Sequence, residues 1–208
     1  MSANVPGAEG DRTYPFLSEI ADIRRRARQH IADGAITLNF TADREVVLRL
    51  LNEALATELV CVLRYRRHYF MATGSVAEAI KDEFLKHSQD EQAHADQLAQ
   101  RIVQLDGAPN LSPPGMLDRS HSEYAEGETL ADRIEEDLIA ERIAIESYRE
   151  IIQYLADKDT TTRRLFESIL AVEEEHAEEL ASMRQDILRT DRSITATNTA
   201  INSTGELQ

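Results

Sequence analysis

The sequence of 208 residues is poor in the residues that build disulfides, tight turns and β-sheet cores. Its one cysteine, Cys61, excludes an internal disulfide and any four-cysteine metal centre. Eight Gly, five Pro, 5% aromatic residues and no Trp are too few for a many-stranded β fold. The longest apolar run, residues 59–63, is too short to cross a bilayer. Because residues 1–10 also lack the basic and apolar stretches of a secretory signal, we predict an all-α cytoplasmic protein.

The charge of the chain is strongly negative and unevenly distributed. Of the net charge of −15, the whole surplus lies in residues 41–187, which hold 31 acidic and 16 basic side chains. Such a field attracts cations and argues against nucleic-acid binding. The only basic cluster, Arg24, Arg25, Arg26 and Arg28, is interpreted as a solvated face or a subunit contact, with DNA binding as the alternative.

Four segments with helical hydrophobic periodicity, each about 30 residues long, fill the middle of the chain. They span residues 42–72, 76–106, 129–157 and 161–187, with Thr41 as a possible N-cap and Ser75–Glu78 as a capping box. The first and last pairs are joined by short hairpins, whereas about 20 residues separate the second and third segments. Since an extended segment of that length can span a bundle, the pattern predicts a four-helix bundle with one long crossover over residues 41–187.

Two flanking segments lie outside the predicted bundle. In the N-terminal extension, residues 1–40, a stripe of Phe16, Ile20, Ile23, Ala27 and Ile31 predicts a short amphipathic helix that packs on the bundle or on another subunit. Residues 188–208 are rich in Ser, Thr and Asn and are predicted to form a loose polar tail.

Each long helix carries one glutamate in the middle of its otherwise apolar stripe. These residues are Glu58, Glu91, Glu141 and Glu173. An unpaired ionised carboxylate in a dry bundle interior would cost several kcal/mol or more, on the order expected for buried charges. The four glutamates are therefore predicted to be compensated by protons or by cations.

Histidines accompany two of these glutamates in a repeated pattern. Glu91-x-x-His94 and Glu173-x-x-His176 are the only two Glu-x-x-His matches, and residues i and i+3 of a helix face the same way. Glu58 lies 33 residues before Glu91 and Glu141 lies 32 before Glu173, as in a duplicated helical hairpin. Four carboxylates and two imidazoles match a dinuclear site for Fe or Mn, for which Zn²⁺ competes, with buried Glu–His and Glu–Arg pairs as the alternative.

Residues 42–187 resemble the bacterioferritin and Dps-like branch of the ferritin superfamily. The segments 52–60, 90–96 and 173–176 carry the resemblance. It implies a ferritin-like bundle with two iron ions per subunit, in which Glu91 and Glu173 bridge the irons. The resemblance also implies that Glu58 and Glu141 are terminal ligands, each bound to one iron. His94 and His176 would be the nitrogen ligands, and Tyr65 would lie close to the centre.

The sequence departs from this family at several positions. The family's haem-binding methionine is replaced by Gln92, so haem is not expected. No fifth helix is predicted after the fourth, so a cage of 12 subunits and a cage of 24 subunits both stay open as alternatives. Cys61 is interpreted as a core residue and Tyr148 as a packing residue. His87 is interpreted as a satisfied, partly buried histidine, with an outer metal or transfer ligand as the alternative. The role of the N-terminal extension stays open.

The leading functional hypothesis is a ferroxidase that stores or detoxifies iron. Two Fe²⁺ ions would bind at the predicted centre, O₂ or H₂O₂ would oxidise them, and an oligomeric cage would hold the ferric product. The alternatives are a di-iron or di-manganese enzyme that destroys peroxide without storage, a Dps-like protein that protects DNA, and a purely structural bundle.

Overall fold

The computed structural model describes residues 18–205, without the side chains of residues 75, 76, 79 and 190–205, and it is all-helical over this range. None of the helices in the described range is long and apolar enough to cross a membrane. The helices are α1 (Ile20–Arg26), α2 (Arg44–Met71), α3 (Ser75–Gln104), α4 (Met116–Arg119), α5 (Leu130–Leu155) and α6 (Thr160–Gly205).

Two helical hairpins build the bundle, since α2 packs along α3 and α5 packs along α6. The predicted four-helix bundle is thereby confirmed. Buried apolar stripes from all four helices meet in its centre, with Leu51, Phe84, Ile134 and Phe166 among the largest fully buried side chains. Amphipathic helices of this length are stabilised mainly by such burial, because helical propensity alone is a weak force.

The helix starts differ in detail from the predicted caps. Asp43, rather than Thr41, caps α2, because its carboxylate accepts hydrogen bonds from the backbone N–H groups of Glu45 and Val46. Helix α3 begins at Ser75 itself, after Gly74 at φ 100°, so Ser75 is not the N-cap that the predicted capping box requires. A complete capping box is found instead at the start of α5, between Thr129 and Asp132.

The crossover between α3 and α5 follows α2 along its length. The backbone N–H of Asn110 donates to the side chain of Asn52 near the start of α2, and that of His121 donates to Thr57. Its later part passes the end of α2, where His68 contacts the backbone carbonyl of Glu126. Helix α5 therefore starts beside the end of α2 and runs antiparallel to it, which makes it parallel to α3 as the connectivity predicted.

A buried polar network fixes the end of this crossover to the bundle. The Arg64 guanidinium donates to Asp137 at 2.8 Å and to the backbone carbonyl of Glu123 at 2.9 Å. The other Asp137 oxygen lies 2.7 Å from Nδ1 of His68. The three side chains are fully buried, so each charge depends on its partners for the compensation that water would otherwise provide.

The structure corrects the prediction for the C-terminal segment. Helix α6 does not end near residue 187 but continues to Gly205, so the backbone of the predicted loose tail is helical up to that residue. Ser, Thr and Asn are weak helix formers, yet no Gly or Pro interrupts residues 188–204, and an existing helix propagates more easily than a new one nucleates.

The chain divides after Asn39 into two units, and the N-terminal unit also differs from its prediction. Helix α1 covers only Ile20–Arg26, because His30 adopts a left-handed backbone conformation and Ile31 lies in a separate 3₁₀ turn, Ile31–Asp33. Ile20, Ile23 and Ile31 are exposed within this unit. Phe16, the first residue of the predicted stripe, lies outside the described residues.

The buried network leads to a prediction about stability. Replacing Asp137 with Ala leaves the Arg64 guanidinium buried without its carboxylate, so we expect the free energy of unfolding to fall by about 3–5 kcal/mol. Glu135→Ala is the matched control, because Glu135 is half-exposed and its ion pair with Arg184 is worth less than about 1 kcal/mol. Urea unfolding at one fixed protein concentration measures both variants. Equal losses in the two variants would contradict a structural role for the network.

Candidate metal centre

The four predicted glutamates meet in the bundle interior, one from each long helix. Glu58 comes from α2, Glu91 from α3, Glu141 from α5 and Glu173 from α6, and each is only 1% exposed. Two overlapping groups of ligand atoms result, and within each group the atoms lie within 4.8 Å of one another. The first group is Glu58, Glu91, His94 and Glu173, and the second is Glu91, Glu141, Glu173 and His176.

The first group surrounds the imidazole of His94. Its Nδ1 lies 3.0 Å from Oε1 of Glu173, 3.3 Å from Oε2 of Glu91 and 3.4 Å from Oε2 of Glu58. One nitrogen thus faces three carboxylates at once, although it can donate only one proton. The arrangement places four ligand atoms around a volume of ionic size.

The second group repeats this arrangement around His176. Its Nδ1 lies 3.5 Å from Oε1 of Glu91, 3.6 Å from Oε2 of Glu173 and 3.9 Å from Oε1 of Glu141. Both shared carboxylates therefore turn one oxygen toward each histidine, which is the arrangement of two bridging ligands between two metal positions. Nε2 of His176 faces Oδ2 of Asp90 at 3.3 Å, and such a contact orients the ring of a metal-binding histidine.

Five buried polar atoms of the centre have no hydrogen-bond partner. Four are oxygens, namely Oε2 of Glu58, Oε1 of Glu91 and both side-chain oxygens of Glu173, and the fifth is Nδ1 of His176. Native proteins satisfy nearly all buried polar atoms, so five unsatisfied atoms that converge on one volume favour a bound ligand there. Two divalent cations fit this requirement, because their four positive charges balance four carboxylates and the imidazoles complete the coordination.

Burial and mutual repulsion strongly perturb the acid–base behaviour of the carboxylates. Burial raises the pKa of Glu58 to about 8, with a further contribution from the Glu91 carboxylate. Burial likewise raises the pKa of Glu141, next to Glu173, and that of Glu173, next to Glu91 and Glu58. Protons are therefore the compensating charges of these three carboxylates when no metal is bound, whereas contacts with Glu58, His176 and His94 outweigh burial and lower the pKa of Glu91.

The histidines carry further protons. Burial alone would lower the pKa of His176, but the nearby carboxylates of Glu173 and Glu91 outweigh it and raise that pKa to about 11. The pKa of His94 is also raised well above its ordinary value, because Glu173, Glu58 and Glu91 together outweigh the effect of burial. The metal-free centre therefore binds protons that the unfolded chain releases near neutral pH.

Two tyrosines bind the terminal carboxylates crosswise. Tyr65 on α2 donates its hydroxyl proton to Glu141 on α5, and Tyr148 on α5 donates to Glu58 on α2. Each tyrosine follows the glutamate of its own helix by seven residues, so on antiparallel helices each lies opposite the glutamate of the other. Burial raises the pKa of both hydroxyls, which keeps them protonated as donors. The interpretation of Tyr148 as a packing residue missed this hydrogen bond.

Other side chains around the centre were predicted only in part. Cys61 is buried within the core, and the Arg64 guanidinium lies 3.6 Å from its Sγ. His87, interpreted from the sequence as a partly buried histidine, is fully buried, its ring stacks on that of His176 and its Nε2 contacts Glu179. Sequence reasoning missed Asp90, which contacts His176, and Glu179, which contacts His87, because the chain has many acidic residues and only the fold selects these two.

Comparison with known proteins agrees with this geometry. The family model described as a ferritin-like domain matches residues 48–190. This chain belongs to the ferritin-like family. Within that family it is 35% identical over 135 residues to the bacterioferritin of Mycobacterium avium, a match that covers 64% of this chain and 80% of the relative.

Two solved structures illustrate the fold of the ferritin-like family. One is a dodecameric thioferritin, the bacterioferritin-related protein of Bacteroides fragilis, with 30% identity, a TM-score of 0.70 and coverage of 74% of this chain and 92% of that one. The other is Dps from Thermosynechococcus elongatus, with 22% identity and a TM-score of 0.64, covering 66% and 89% of the two chains. The second likeness concerns the fold alone.

The raised pKa values lead to a prediction for metal binding. At pH 7, Zn²⁺ must displace protons from Glu58 and the two histidines, so we expect on the order of one to three protons to be released per chain. Calorimetric titration in two buffers of different ionisation enthalpy measures this number. A binding heat that is independent of the buffer would contradict the assignment of protons to the metal-free centre.

The same shifts set the sign of the pH dependence of stability. Because the folded metal-free protein binds more protons than the unfolded chain between about pH 5 and pH 9, its free energy of unfolding should decrease as the pH rises through this range. Saturating Zn²⁺ should reverse this slope, because metal binding is favoured where the ligands are deprotonated. Unfolding in urea across the pH range, with and without Zn²⁺, measures the effect. A metal-free stability that rises toward pH 9 would contradict it.

Proposed function

We propose that this chain is a ferroxidase that oxidises Fe²⁺ at a dinuclear centre and stores the ferric product in a homo-oligomeric cage. The observation that supports it most directly is the pair of carboxylates, Glu91 and Glu173, that each turn one oxygen toward both histidines. Shared carboxylates hold two metal ions at a fixed separation, which a reaction that takes one electron from each ion needs. The ferritin-like family and the bacterioferritin relatives support the same function.

The proposed ligand roles follow from the two groups. Glu58 and His94 bind one Fe²⁺, Glu141 and His176 bind the other, and Glu91 and Glu173 bind both. Oxygen and imidazole ligands suit iron, and they also accept Mn²⁺ or Zn²⁺, so the donor set alone does not select the metal. Tyr65 and Tyr148 hold the two terminal carboxylates in place as neutral donors.

The charge balance of the centre favours binding of two Fe²⁺ ions before either ion is oxidised. Two Fe²⁺ ions neutralise four carboxylates, and the protons of the metal-free centre leave as the ions arrive. Oxidation to Fe³⁺ then adds two positive charges to a neutral buried site. That excess favours departure of ferric iron or binding of an oxygen anion, because a buried net charge is unfavourable. The two electrons reduce H₂O₂ with two protons to two molecules of water, or O₂ with two protons to H₂O₂.

The assembly and location are part of the proposal. A relative with 30% identity is described as dodecameric, which supports a closed shell for this chain, and a shell provides the enclosed volume that storage requires. The single buried cysteine suits a reducing compartment, which supports a cytoplasmic location.

The shared carboxylates provide the test of the centre. We expect Glu91→Gln and Glu173→Gln each to slow the oxidation of Fe²⁺ by at least about tenfold, because each change removes a ligand from both metal positions. Glu174→Gln is the matched control with the same loss of charge, since Glu174 is the exposed neighbour of Glu173 and pairs with Arg149. Stopped-flow absorbance of ferric iron measures the initial rate. Wild-type rates in both centre variants would contradict the assignment.

Iron retention separates storage from simple turnover. Metal-free protein is mixed with excess Fe²⁺ in air, desalted, and its iron counted per chain. A storage cage should retain tens of iron ions per chain, as an order of magnitude, whereas the four carboxylates of the centre alone hold about two. About two ions with repeated peroxide consumption would instead indicate a peroxide-destroying enzyme. Retention near zero would contradict any iron function.

A further inference from the structure

A second group of metal-binding side chains lies beside the dinuclear centre. Glu83 and His87 are one turn apart on α3, and Glu179 on α6 follows His176 by three residues. Each offers a ligand atom within 4.8 Å of the other two. Nε2 of His87 lies 2.8 Å from Oε2 of Glu179, and Oε2 of Glu83 is buried without a hydrogen-bond partner. We call these three residues the outer triad.

The outer triad is joined to the dinuclear centre through stacked histidines. The rings of His87 and His176 lie 4.0 Å apart between centroids, with 22° between their planes. His87 also forms a group with Glu141 and His176 whose ligand atoms lie within 4.8 Å of one another. One ligand of the outer triad is therefore in direct contact with one histidine of the dinuclear centre.

An acidic surface groove includes two members of the outer triad, Glu83 and Glu179, in its lining. The groove has a volume of about 430 Å³ and is bordered by Ser182 and Met183. Clustered charges of one sign in a cleft focus the electrostatic field and raise the local concentration of cations. Its acidic side chains are Glu83, Glu175, Glu178, Glu179 and Asp186.

A cation already stands between the carboxylates of the outer triad. Nζ of Lys86 lies 3.1 Å from Oε1 of Glu179 and 3.7 Å from Oε2 of Glu83. The Lys86 side chain is 51% exposed, so this ion pair is weak and its ammonium can turn into water at little cost. The two carboxylates are thus oriented toward a cation, and a divalent ion that also gains the imidazole of His87 binds more strongly than the ammonium.

We propose that Glu83, His87 and Glu179 form a third divalent-metal site, which receives Fe²⁺ from the acidic groove and passes it to the dinuclear centre. Two carboxylates and one imidazole suit Fe²⁺, Mn²⁺ and Zn²⁺ alike. The transfer of Fe²⁺ rests on the proposed ferroxidase function, whereas the site itself does not. Lys86 acts as the competing cation that occupies the triad until a metal ion displaces it.

Crystals of the full chain soaked in Zn²⁺ test the site directly, since anomalous diffraction locates each ion. Three peaks are expected per chain, two between the shared carboxylates and one on the outer triad. Glu83→Gln and Glu179→Gln should remove only the third peak, and Glu174→Gln should keep all three. Two peaks in the centre with none on the triad would overturn the third site. A peak on the triad with an empty centre would support the third site and overturn the proposed function instead.

Oxidation kinetics test the transfer step. Because Glu179→Gln removes one of three ligands, we expect the Fe²⁺ concentration at half-maximal rate to rise roughly ten- to hundredfold, with the maximal rate retained at saturating Fe²⁺. Lys86→Met removes the competing cation and should lower that concentration. His87 is fully buried, so the partly exposed glutamates are the safer positions for variants. Unchanged half-saturation in both Glu179→Gln and Lys86→Met would overturn the transfer role.

Discussion

The burial of four carboxylates in one bundle is the constraint on which the rest of the structure depends. Glu58, Glu91, Glu141 and Glu173 are removed from water at the same level of the four helices. A hydrophobic bundle would gain stability by replacing them with apolar side chains, so their presence favours the proposed cation-binding role over a purely structural one. The surrounding hydrogen bonds preserve this arrangement: Tyr65 and Tyr148 hold two of the carboxylates, and Asp90 orients His176.

The two ends of the centre are alike in ligands and different in surroundings. The crosswise tyrosines relate the two terminal glutamates by an approximate twofold symmetry, which fits the duplicated hairpin seen in the sequence. Beyond the ligands this symmetry is lost, since His176 contacts Asp90 and stacks on His87. His176 is therefore the histidine of the centre that lies beside the outer triad, whereas His94 is in contact only with carboxylates of the centre.

Much of the fold and of the candidate centre could be predicted from the sequence, because both rest on periodic patterns. A glutamate in an apolar stripe and a histidine three residues later are local signals, and the hairpin spacing relates the two halves. The network of Arg64, Asp137 and His68 could not be predicted in this way, since its members are 73 and 69 residues apart. The end of α6 was missed for another reason: weak helix formers do not stop a helix that is already formed.

Helix α6 continues beyond Ile187, which is the last of its residues seen to be buried. This continuation also constrains any assembly of this chain. Its 18 further residues form a rod of about 27 Å, which with side chains fills roughly 2,000 Å³. In a shell, each rod that points inward removes that volume from the space for mineral, whereas each rod that points outward enlarges the particle radius. In the proposed storage cage, an outward direction of this helix end would therefore give both a larger iron capacity and a larger hydrodynamic radius than an inward direction.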